Sequence, residues 1–192
     1  MSDKIKGSLL LTTAAMIWGS SFIVMKSAVD FLTPNVLLFV RFSLATVIMS
    51  IIFYKYVKDI NIKDLKGGMI TGTCLFLAYL IQTIGLTMTT PGKNAFLTAV
   101  YCAIVPFLVW FFYRRRPDSY NFFAALLCIV GVGFVSLDGN LGMNMGDLLT
   151  LIGGLFYAFH ILAIKKYSNT MHPIKLTTLQ FAMTAILAFF GS

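Results

Sequence analysis

Long apolar runs separated by short polar stretches make up nearly the whole chain. Seven runs can be marked, at about residues 8–29, 34–57, 67–89, 92–113, 120–138, 147–167 and 173–190. Each approaches the roughly 20 residues an α-helix needs to cross the hydrocarbon core of a bilayer. The connections are short, so neighbouring helices must run antiparallel. Pro34 after Thr33 and Pro173 after His172 mark helix starts, where proline's missing N–H goes unneeded. The first run follows Lys4 and Lys6 like a signal peptide, but it is too long for one and further spans follow, so it reads as a retained helix. The fold class this predicts is an all-α polytopic membrane protein.

Composition agrees. Hydrophobic residues form 58% of the chain and charged residues 11%, against about a quarter charged in soluble domains. Most of the surface therefore has the lipid bilayer as its partner. Cys74, Cys102 and Cys128 each lie within an apolar run and read as packing residues without a disulfide framework. No metal-ligand cluster, nucleotide loop or nucleophile–base pairing stands out, so neither an enzyme nor a cofactor is expected. Gly131-Val132-Gly133 lies inside a span and reads as a close-packing feature.

A net charge of +8 would suit a nucleic acid, but its distribution argues against that partner. Lys4 and Lys6, Lys55, Lys58, Lys63 and Lys66, Arg114 to Arg116, and Lys165, Lys166 and Lys175 occupy alternate connections. These twelve of the fifteen basic residues fall on one side, which must be cytoplasmic. Lys93 lies opposite, with Asp30, Asp138 and Asp147. The expectation is a multi-pass protein of the cell (inner) membrane with its N-terminus inside.

A shift of 139 residues brings part of the chain back onto itself. Trp18 falls on Tyr157, Lys26 on Lys165, Pro34 on Pro173, Arg41 on Gln180 and Phe42 on Phe181, without a gap. Five helices separate the copies, so the second copy is inverted across the membrane. Inverted repeats that meet near the midplane are a common transporter architecture. The reading divides the chain into a five-helix repeat, 1–139, and the first two helices of a second, 140–192. Seven of an expected ten helices are then present, as in a truncated chain or a natural fragment.

Several segments carry a family resemblance. Trp18-Gly-Ser-Ser-Phe with Lys26, Pro34 and Arg41-Phe42 resembles the opening of EamA-type drug/metabolite transporters. Gln82-Thr-Ile-Gly-Leu, Thr90-Pro-Gly-Lys-Asn-Ala-Phe-Leu and Pro106 resemble that family's third and fourth helices. Ala124 to Gly133 is similar to its fifth, and Gly146-Asp147-Leu148 to the start of its second repeat. The resemblance implies two inverted five-helix repeats that move small metabolites, amino acids or drugs. One departure is Arg114-Arg-Arg-Pro117-Asp118 where many members carry a Gly-Glu-Arg-type segment; this chain has no glutamate.

A transporter needs polar and aromatic groups at mid-membrane. Trp18 with Ser21 on helix one, Tyr79 and Gln82 on helix three, Asn94 and Tyr101 on helix four, and Tyr157 and His160 on helix six are the candidate substrate-binding residues. Each has a plainer role: small-residue packing around Gly19, an interhelical bond for Gln82, a helix-start cap for Asn94, packing for His160. Pro106 predicts a kink, since it removes a bond to Cys102. Lys26, Asp30 and Arg41 are candidates for gating or structural charge. Lys26 is expected to snorkel to the headgroups, and Arg41 to pair, with Asp30 nearest in sequence, or to anchor an anionic group.

The function expected is export of amino acids or drug-like amphipathic solutes by alternating access, with the small-molecule substrate between the repeats. A homodimer, or complementing helices eight to ten, could complete the bundle. A non-transporting fragment or assembly subunit remains open as a reading, as does a seven-helix receptor or sensor, which would not predict the repeat.

Overall fold

The computed structural model describes residues 3–136 and 143–192. Asp138 and the 139/140 repeat boundary lie outside them. The described residues form nine helices and no strand: α1 (Asp3–Val29), α2 (Pro34–Ile52), α3 (Tyr54–Val57), α4 (Ile62–Met88), α5 (Pro91–Thr98), α6 (Tyr101–Tyr113), α7 (Ser119–Ser136), α8 (Met145–Tyr167) and α9 (Pro173–Phe190). Six spans, counting α5 and α6 as one, are long and apolar enough to cross a membrane, and α7 is a shorter apolar helix.

Local chemistry sets the ends. Thr33, Thr90 and His172 each precede a proline, and the side chain of each accepts an N–H of the first turn. Asn61 with Asp64, and Asn144 with Asp147, form reciprocal capping boxes that start α4 and α8. The box at Asn61 starts α4 five residues before the apolar run begins, because capping satisfies the orphan N–H groups of a charged first turn. The α6 helix stops at Arg114, which adopts a left-handed backbone with φ 57°.

The α6 helix runs through Pro106, and the fourth span breaks before it, between α5 and α6. There Val100 N donates to Leu97 O and Cys102 N to Ala99 O, tight three-residue turns one stage ahead of the proline. The second span likewise divides at Phe53 into α2 and α3.

The centre is the antiparallel pair α4 and α8, flanked by α9 and α2, with α1 and α7 outside. Glycines allow the contact. A Cβ on Gly85 would lie 2.6 Å from Thr150 Oγ1, and one on Gly72 would lie 2.5 Å from Met183 Cβ. Gly19, by contrast, has nothing within 4 Å, so the close packing expected on α1 is absent there. Of Gly131 and Gly133, only Gly131 meets a neighbour, the Phe96 ring.

Two ends of the bundle are chemically distinct. At one, Tyr56 stacks on His172, Lys175 bonds Asp64 and the Asp59 carbonyl, and Lys165 lies over Tyr113. The basic connections after α3, α6 and α8 meet here. At the other, Lys93 pairs with Asp147 at 2.8 Å, and Asn35 bonds the Gly191 carbonyl.

Candidate functional site

Midway between these ends, α1, α2, α4, α6 and α8 bring a file of rings together. Trp18 lies 6.2 Å from Tyr101, Tyr101 is 5.9 Å from Tyr157, Tyr157 is 5.3 Å from Tyr79, and Tyr79 is 5.1 Å from Phe42. Phe181 of α9 closes on Phe42 at 5.4 Å. The tilted and edge-on geometries are those aromatic pairs favour. Trp18 remains 38% exposed, whereas Tyr157 is buried. Tyr157 belongs to the apolar core that also holds Leu38, Phe42 and Ala78, and the partly buried Tyr79 packs against it.

Beside the rings lies a closed polar network. Gln82 Nε2 donates to Thr98 Oγ1 at 2.7 Å, and Gln82 Oε1 accepts from the Tyr157 hydroxyl at 2.9 Å. Asn94 Nδ2 donates to the Gln82 carbonyl and to Thr150 Oγ1, which donates to the Gly146 carbonyl. Thr98 returns its proton to the Asn94 carbonyl. Hydrocarbon offers no partner for an amide, and here the protein supplies one from α5 and one from α8. Asn94 is therefore no helix cap; Thr90 fills that place, and Asn94 is fully buried in the network.

The remaining candidates sit apart from the rings or beside them. His160 Nε2 lies 2.9 Å from Gln180 Oε1, joining α8 to α9. Ser21 turns its hydroxyl back to the Trp18 carbonyl on its own helix. Lys26 does not snorkel: its ammonium donates to the Leu86 and Thr87 carbonyls at 2.8 and 3.1 Å, where the last turn of α4 leaves acceptors free. Arg41 does not pair with Asp30, which is exposed. Its Nη1 contacts Met25 Sδ at 2.9 Å, and its guanidinium carbon lies 4.9 Å from the Tyr79 ring centre.

Three polar contacts at the candidate site escaped the sequence reading. Thr150 enters the network, Thr89 donates to Asp147 at 2.8 Å, and Lys93 pairs with Asp147. Asp147 also closes the capping box with Asn144, and the fold brings Lys93 to it. A cavity of about 600 Å³ opens elsewhere, between α4, α6 and α8, walled by Cys74, Phe112, Phe156, Phe159 and Tyr167 with Lys166 at its edge.

Sequence comparison bears on what such a site serves. The EamA-like transporter family matches residues 5–137. An uncharacterized transporter of Archaeoglobus fulgidus is 34% identical over 189 residues, which is 98% of this chain and 58% of the relative. The uncharacterized transporter YrdR of Bacillus subtilis is 26% identical over 160 residues, 78% of this chain and 50% of its own length. The chain thus spans little more than half the length of these relatives. No solved structure matches it significantly.

Proposed function

Because the chain belongs to the EamA-like transporter family, we propose that it forms the solute-carrying part of a membrane transporter for small amphipathic solutes such as amino acids. The single observation that carries this reading is the mid-depth file Trp18–Tyr101–Tyr157–Tyr79 with Arg41 beside it. Ring faces hold apolar side groups without a fixed charge, and a single cation suits a solute with one acidic end.

Alternating access is the mechanism proposed, built on inverted repeats. The positions related by the 139-residue shift support it. Lys26 lies at the Lys93–Asp147 end and Lys165 at the other, as inversion requires. Phe42 and its counterpart Phe181 touch at 5.4 Å, as they would near an axis relating two halves. The basic end is assigned to the cytoplasm, since cytoplasmic loops carry excess lysine and arginine, and the direction proposed is export.

Flux of labelled amino acids in proteoliposomes tests the reading. Trp18→Ala should reduce flux about tenfold at subsaturating solute, the loss of roughly one aromatic contact. Absence of any solute flux by the wild-type chain, with insertion intact, would overturn it.

A further inference from the structure

Arg41 is a cation inside the bundle with no carboxylate partner among the described residues, whereas the buried atoms without a partner, on Asn35, Thr83 and Asn94, are neutral oxygens. The amide of Gln82, the phenol of Tyr157 and the imidazole of His160 each have a polar partner at hydrogen-bond distance. Arg41 sits about 10 Å into α2 from Pro34, by the helical rise. A guanidinium carries five N–H donors, and a thioether sulfur is a weak acceptor for one of them. The contacts over Tyr79 and Phe42, at 4.9 and 5.8 Å, engage its charge through ring faces and leave the N–H donors unused. Among the described residues the ion pairs are Lys93–Asp147 and Lys175–Asp64, and Arg41 is in neither. A cation so placed in a membrane calls for an anion.

We infer that Arg41, seated on Tyr79, receives the carboxylate of the carried solute, whose apolar part lies along Tyr157, Tyr101 and Trp18. This deepens the transport reading and rests on it. A planar fork of donors matches the two oxygens of a carboxylate. A phosphate, with a charge near −2, would call for a second cation. Lys26 of α1 is committed to the Leu86 and Thr87 carbonyls. The other basic residues gather near helix ends and in connections. The solute class is therefore a monocarboxylate with an apolar or aromatic body, zwitterionic amino acids included.

The test compares 3-phenylpropionate with 3-phenylpropanamide, which share a shape and differ in charge. Equilibrium binding of each radiolabelled probe is measured on the purified 192-residue chain in detergent. The acid should bind the wild-type chain about tenfold or more tighter than the amide, the scale of a charge-assisted bidentate contact. Arg41→Gln should bring the two affinities within about twofold by weakening the acid alone, and Arg41→Lys should keep part of the preference. Equal wild-type affinities, or binding of neither probe, would overturn the subsite. So would a variant with an unchanged unfolding midpoint that loses both probes equally, since Arg41 would then not discriminate by charge. Flux of the amide in proteoliposomes separates the two readings: if wild type and Arg41→Gln both carry it while the acid shows no preference, transport stands and the carboxylate subsite falls.

Discussion

At the scale of single residues, burial separates side chains that hold the bundle from those that a solute can reach. Gln82 is 1% exposed and Trp18 is 38% exposed. Gln82→Ala strands the Tyr157 hydroxyl and removes the N–H that the Thr98 hydroxyl accepts. The expected cost is about 1–3 kcal/mol of stability, read as a lower midpoint of thermal unfolding in detergent, whereas Trp18→Ala should leave that midpoint nearly unchanged. The Asp147 carboxylate is fully buried and holds Lys93 and Thr89. Lys93→Ala should therefore cost about 3–5 kcal/mol, because an unpaired charge stays behind. Lys175→Ala should cost visibly less, since its contact with Asp64 is longer, at 3.5 Å, and more exposed. The sequence marked Gln82 as a group needing a partner, from its polarity and depth. It could not tell a solute from Tyr157 and Thr98, which lie 75 and 16 residues away.

At the scale of helices, glycine decides which pairs come close. The α4 helix carries Gly68 and Gly72 toward α9, Gly67 toward Tyr167 and Met171 where α8 ends, and Gly85 toward the start of α8. Gly85→Ala would press a methyl group into Thr150 and the Gly146 carbonyl, and should lower the unfolding midpoint. Gly19→Ala, facing open space, should leave it unchanged or raise it. A result in which both behave alike would contradict the packing described. Element positions were largely legible, because period and length are local properties. The start of α4 at Asn61 and the break before Tyr101 were not, since a cap and a tight turn override the apolar pattern.

At the scale of the whole molecule, the two ends of the bundle make an orientation that can be checked. In a chain cleared of Cys74, Cys102 and Cys128, single cysteines at Lys55 and at Lys93 should label from opposite sides of intact vesicles, Lys55 from the cytoplasmic side. Labelling of both from one side would remove the inverted arrangement and with it the proposed mechanism. The central α4/α8 pair would join an element of the first proposed repeat to one of the second. Under alternating access those two helices shear or rock against each other, with Lys93–Asp147 and Lys175–Asp64 at opposite ends of the pair.

The sequence by itself determined the solvent, the seven apolar runs, the helix starts at Pro34 and Pro173 and the 139-residue correspondence. All of these follow from composition or from spacing along one dimension. Only the tertiary structure decided that Lys26 caps α4, that Asn94 bonds Gln82 and Thr150, and that Arg41 lies over Tyr79 without an acid among the described residues. In lipid every buried polar group must be answered by the protein, and the answering group sits on another helix, at a distance along the chain that no local pattern encodes.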